Sequence, residues 1–144
     1  MNISDMVASL RAIIGDEDST NYHHTDNVLI DKIDIGAKRL SARWSQEYVI
    51  TGTGPTRAIS PEPTKDDLQM IYLMSAMIVL DGEITEASRN AISVTSPAGR
   101  TDLMEIPKQL RATRKEVSEE LNLILSRKEG LAVVGDTNVA DASI

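Results

Sequence analysis

Apolar residues recur at helical spacing along most of the chain, interrupted by short polar stretches with turn chemistry. Val7, Leu10 and Ile14 fall at i, i+3 and i+7 behind Ser4, a good N-cap, and Gly15 stands where a C-terminal glycine is expected. A short first helix is predicted there. The stretch Asp16-Glu17-Asp18-Ser19-Thr20-Asn21-Tyr22-His23-His24 has no periodicity and reads as a loop. Thr25 or Asp26 then caps a second helix, on which Leu29, Ile33, Ala37, Leu40 and Trp44 form a stripe four turns long. Gly36 interrupts it at a cost of about 1 kcal/mol relative to alanine, which implies either a closely packed neighbour or a bend, the former preferred.

Tyr48-Val49-Ile50 and Ala58-Ile59 flank the turn residues Gly52-Thr53-Gly54-Pro55, consistent with a loop or a small hairpin. Pro61 and Pro63 end that segment, and Thr64 with Asp66 and Asp67 begins a third helix expected to run to Leu80 and close at Asp81-Gly82. Leu68, Met70, Ile71, Leu73, Met74, Met77, Ile78, Val79 and Leu80 surround it on nearly every side, so it is predicted to be the central element. The run from Met70 to Leu80 is well short of the roughly 20 residues that span a bilayer, and no membrane association is expected.

Glu83 to Asn90 suits a short helix, whereas Ile92-Ser93-Val94-Thr95 alternates with period two. With Ser96-Pro97-Ala98-Gly99 as a turn and a return through Leu103 and Ile106, a second hairpin is predicted, followed by a last helix from Pro107. Leu110, Val117, Leu121 and Ile124 form the apolar stripe of that helix. The expected architecture is mainly α: a small four-helix bundle with a minor β-hairpin over residues 1–126, and a flexible tail over 127–144. Deleting residues 128–144 is therefore expected to leave the helical fold intact.

Composition narrows the chemistry. The 144 residues are 41% hydrophobic and include no cysteine, which excludes disulfides and thiolate metal sites. A formal charge of −7 argues against general affinity for a phosphate backbone, and with one Trp, three Tyr and no Phe, base stacking has little support. The start lacks a basic segment followed by an apolar one, so cytoplasmic synthesis is expected.

Tests for a catalytic or metal centre give little. His23 and His24 are adjacent in a loop and do not project together as i, i+4 ligands on a helix do. The acidic stretch from Asp16 carries Asn21 and Asn27 where a calcium loop needs glycine and glutamate. Gly52-x-Gly54 lacks the third glycine of a dinucleotide site, and no serine sits in a nucleophile elbow. The carboxylates fall in caps and loops where nothing in the sequence shifts their pKa. No enzyme, cofactor or metal is expected. Basic residues cluster as Lys38, Arg39 and Arg43 on the second helix and as Lys108, Arg111, Arg114 and Lys115 on the last, followed there by Glu116, Glu119 and Glu120. The latter polarity suits a head-to-tail ring contact between subunits, or equally a set of neighbours satisfying each other on one helix.

In order and spacing, four pieces resemble the head-tail connector (adaptor or head-completion) proteins of tailed bacteriophages. They are Leu10-Arg11-Ala12-Ile13-Ile14-Gly15-Asp16; Thr25-Asp26-x-x-Leu29 opening a helix that ends Leu40-x-x-Arg43-Trp44; Ile59-Ser60-Pro61-Glu62-Pro63-Thr64 before an apolar helix; and Ile92-Ser93-Val94 with Ala98-Gly99 before the last helix. The resemblance spans residues 5 to about 126. It implies a non-catalytic virion protein at the head-tail interface, assembled as a ring, usually of twelve copies, under the portal vertex. Such a ring lengthens the DNA channel, which genomic DNA crosses without sequence-specific binding, and receives the tail or its stopper and nozzle proteins. Because family members often touch the portal through the C-terminal helix and tail, the resemblance implies portal contacts at Leu121, Ile124, Leu125, Arg127, Leu131, Val133 and Val134. Net acidity suits a channel through which DNA passes without being gripped. The competing expectation is a DNA-binding module of a packaging complex using Lys38, Arg39 and Arg43. The roughly ten residues between its first two helices, against three or four in a helix-turn-helix, disfavour it.

Overall fold

The computed structural model describes the backbone of residues 1–93 and 97–132, and the side chains of 1–89 and 108–128. The described residues form four α-helices and one two-stranded antiparallel hairpin: α1 (Val7–Ile14), α2 (Asp26–Arg39), β1 (Val49–Thr51), β2 (Ala58–Ser60), α3 (Lys65–Ser93) and α4 (Pro97–Ala132). A 3-10 turn, Ile3–Met6, leads into α1, so Ser4 lies inside that turn rather than capping the helix. Gly15 closes α1 in the left-handed conformation at φ 77°, as its position predicts. Thr25 caps α2, its side chain accepting the Val28 amide at 3.3 Å.

Helix α3 is the centre of the core. Met70, Ile71, Leu73, Ala76, Val79 and Leu80 are buried, and α1, α2 and α4 all pack on it. Lys65–Arg89 is long and apolar enough to cross a membrane by length and composition alone, and here that stretch supplies the centre of this core. Each large aliphatic side chain withdrawn from water contributes about 1.5–3 kcal/mol, and this central row supplies much of the driving force. Where α2 crosses α3, a Cβ on Gly36 would stand 2.5 Å from Ser75 Oγ and 3.1 Å from Ser75 N. Close approach, not a bend, explains the glycine. Ser75 is itself buried and donates to the Ile71 carbonyl at 2.6 Å, so its hydroxyl is satisfied without a partner helix. Gly36→Ala is expected to destabilise by about 1–3 kcal/mol in chemical denaturation despite the better helix propensity of alanine. Adding Ser75→Ala should recover part of the loss.

The first hairpin pairs Val49 with Ser60, Ile50 with Ile59 and Thr51 with Ala58. The first residues extend it: the Ile59 amide donates to the Met1 carbonyl and the Ile3 amide to the Arg57 carbonyl, both at 2.9 Å. Arg57 ties the hairpin to α2 through Asp31 at 2.7 Å and Asp34 at 3.2 Å. The Ser60–Pro61 peptide bond is cis.

Four further sequence expectations are corrected. The α2 stripe stops at Leu40, because the helix gives way to a 3-10 turn at Ser41–Arg43 and Trp44 follows in extended backbone, edge-on to Tyr48. Helix α3 does not close at Asp81-Gly82; Ile84 and Ala87 continue its apolar stripe from Leu80, and a single glycine costs too little to end it. The second hairpin is absent from the described residues: Ile92 and Ser93 end α3, and Leu103, Ile106 and Pro107 lie within α4, while Val94, Thr95 and Ser96 lie outside the described residues. Leu103 and Ile106 extend the Leu110–Val117–Leu121–Ile124 stripe upstream at helical spacing, and this long register prevails over a four-residue alternation. Helix α4 also continues past the expected boundary at 126 to Ala132, leaving 133–144 outside the described residues.

Candidate functional site

Helices α3 and α4 run antiparallel: Gln69 meets Glu120, and Asp81 meets Arg114. Val117 and Leu121 on α4 are buried against the core, with Leu110, Ile124 and Leu125 packed partly on it. Leu121, which the resemblance assigns to a partner contact, thus belongs to the packing of the chain itself. Arg127 is exposed, and so is Leu123 at 62%, a residue that lies off the apolar stripe of α4. Leu131 lies in α4 without a described side chain, and Val133 and Val134 fall outside the described residues.

The charged candidates separate into two groups. Arg114 turns back onto α3 and pairs with Asp81. Arg111, Lys115, Glu116, Glu119 and Glu120 are exposed, with Lys115 and Glu119 only 3.9 Å apart as an i, i+4 pair and Glu120 accepting from Gln69 at 3.4 Å. Exposed pairs of this kind contribute little to stability. The face opposite the core therefore runs from basic to acidic and then to Leu123, with side chains available to a second molecule.

On α2, Lys38 is engaged with Asp34 at 3.0 Å and Arg39 is exposed, while Arg43, also exposed, stands in the 3-10 turn beyond the helix, so the three expected basic residues do not share one helix. Beside this end of α2, a shallow cavity of about 350 Å³ is lined by Lys38, Ser41, Trp44, Tyr48, Val49 and Ile50. Trp44 is half-buried, and its indole N–H has no hydrogen-bond partner among the described residues.

Two buried polar centres were not legible as such in the sequence. Asp67 is fully buried and accepts from the Ser45 amide at 3.2 Å, the Ser45 hydroxyl, the Tyr48 hydroxyl at 2.6 Å and the Lys128 ammonium. Burial alone would raise its pKa; the bonds from Lys128, Ser45 and Tyr48 outweigh that and lower it to about 2. Arg11, also buried, donates to Asp16 and Asp26 at 2.6 Å each and to the His24 carbonyl at 2.8 Å, with its guanidinium 3.6 Å from the centre of the Tyr22 ring. Asp16 in turn accepts the His23 and His24 amides at 2.8 and 3.1 Å. Burial raises its pKa, but these amides and the Arg11 charge prevail and hold it below the ordinary carboxylate range. The expectation that the acids lie in caps and loops where nothing shifts their pKa is thus corrected at both positions: Ser45, Tyr48 and Lys128 reach Asp67 from other elements, and Arg11 with the amides of its own loop reaches Asp16.

The histidine expectation is corrected too. The chain bends at His23 and His24 so that their rings meet edge-to-face with centroids 4.7 Å apart, and His24 Nε2 lies 2.6 Å from Glu83 Oε1 on α3. Comparison with protein-family models, curated proteins and solved structures found no match.

Proposed function

We propose that this chain is a structural virion protein, a head-tail adaptor that assembles as a ring under the portal vertex of a tailed bacteriophage and lengthens the DNA channel. Beyond the sequence resemblance, the observation that supports this best is the two-sided character of α4. One face is committed to α3 through Val117 and Leu121, while the other presents Arg111 and Lys115, then Glu116 and Glu119, then Leu123 and Arg127. A surface with its charges ordered along one axis pairs head-to-tail with a copy of itself, and a repeated head-to-tail contact closes into a ring when the rotation permits.

On this reading Leu123, Ile124, Leu125 and Arg127, with Leu131, Val133 and Val134 beyond them, form the end that meets the portal. The tail or its stopper and nozzle proteins bind the opposite side. The DNA traverses a ring whose subunits each carry a formal charge of −7, which favours passage over gripping.

Charge reversal tests the subunit contact. Arg111→Glu with Lys115→Glu should abolish ring assembly on portal particles, as should Glu116→Lys with Glu119→Lys, each leaving the circular dichroism of the isolated chain unchanged. Joining all four substitutions in one chain should restore assembly, since every contact regains its complement. Assembly by both half-reversed variants would remove the proposed contact.

A further inference from the structure

We propose that His23, His24 and Glu83 form a binding site for a divalent transition-metal ion, with zinc the fitting member of the class. The ligating atoms of the three side chains all lie within 4.8 Å of one another. Two imidazoles and one carboxylate are a donor set that favours zinc and its neighbours in the first row over calcium or magnesium, which take oxygen ligands.

The geometry needs modest adjustment to receive an ion. Metal–ligand bonds of about 2.0–2.2 Å in a tetrahedral arrangement put the donor atoms about 3.3–3.5 Å apart. His24 Nε2 and Glu83 Oε1, now 2.6 Å apart, would open by under about 1 Å, and the widest pair would close by about 1.5 Å. His23 is exposed, and turning its side chain requires no repacking of the core.

The backbone beneath the site is already fixed, which is what distinguishes it from histidines on a free loop. Asp16 holds both histidine amides, Arg11 holds the His24 carbonyl, and Thr25 immediately afterwards caps α2. These bonds fix the backbone from which both imidazoles project, and His24 already reaches Glu83 on α3, so little backbone ordering remains to oppose binding. The nearby guanidinium does not repel a cation strongly, because Asp16 and Asp26 both pair with it. Three protein ligands leave a fourth position for water or for a group from another molecule. An ion there would fasten the loop between α1 and α2 to the middle of α3 in a chain without cysteine.

Titrating the tag-free full-length chain with zinc chloride in a calorimeter tests the site. One equivalent should bind with micromolar or tighter affinity, and zinc should raise the thermal unfolding temperature by several degrees. Replacing zinc with cobalt(II) should give visible absorption bands of the intensity typical of tetrahedral sites. His23→Ala is the decisive variant, since His23 is exposed and its ring makes no hydrogen bond among the described residues: the apo fold should be unchanged while zinc affinity falls at least tenfold. Glu83→Gln and His24→Ala should weaken binding at least as much, with circular dichroism reporting their folding. An absence of binding, or weak binding at several equivalents that His23→Ala leaves unaltered, overturns the proposal.

Discussion

Asp67→Ala is expected to lower the unfolding free energy by about 3–5 kcal/mol in urea denaturation, among the largest effects of any polar substitution in the chain. Alanine leaves the Lys128 ammonium, whose side chain is 20% exposed, without its carboxylate, and strands the buried Tyr48 hydroxyl and the Ser45 amide. The same centre predicts a response to acid. A carboxyl that titrates at 3.8 when unfolded and at about 2 when folded adds about 2 kcal/mol of stability, fully present above pH 5. That increment drains away as pH falls through 3.8 towards 2, so Asp67→Asn should flatten the acid limb of the stability profile over this window. Chain length gives an independent check. Lys128 also donates to the Arg43 carbonyl at 3.1 Å, so a chain ending at Arg127 should unfold at markedly lower urea than one ending at Ala132. This reverses the expectation from sequence that everything after 127 is dispensable for folding.

Arg11→Met is expected to cost a similar amount, about 3–5 kcal/mol. The buried guanidinium neutralises Asp16, whose side chain is 8% exposed, and anchors the His24 carbonyl. Methionine preserves the apolar stem but leaves the Asp16 carboxylate buried without its cation. Asp16→Asn in the same chain should recover part of the loss, and the resulting double-mutant cycle in denaturation isolates the coupling. Failure of the double variant to recover would mean that Arg11 acts through packing alone.

The helical skeleton was legible in the sequence wherever a long apolar stripe carried it. Leu29, Ile33, Ala37 and Leu40 mark one face of α2, the crowded apolar positions of α3 mark the core, and Gly36 announces a close helix contact that Ser75 supplies. The turn residues between Val49–Thr51 and Ala58–Ser60 likewise mark the hairpin. What failed were local signals weighed against a long register: Gly82 and Pro107 look like punctuation, yet the stripes through Ile84 and from Leu103 carry the helices past both. Trp44 continues the α2 spacing in sequence but follows a 3-10 turn, so coincidence of period extended the stripe too far.

The polar centres were hidden for a different reason. Asp67 looks like one of two equivalent helix-start acids, and only folding brings Ser45, Tyr48 and Lys128 around it while Asp66 stays exposed. His24 and Glu83 are 59 residues apart, a separation no spacing rule covers. Arg11 gave a partial signal, being the one charged residue in the short helix Val7–Ile14. Among the exposed residues, Leu123 was discoverable as a large apolar side chain off the α4 stripe.

Native mass spectrometry of the chain mixed with the portal protein of the same virus tests the adaptor reading most directly. The predicted result is a stoichiometric ring of the chain on the portal, with a fixed copy number. A chain that remains monomeric beside intact portal rings, and instead shifts onto DNA in a salt-dependent manner, would contradict the adaptor and favour a DNA-binding module of the packaging complex.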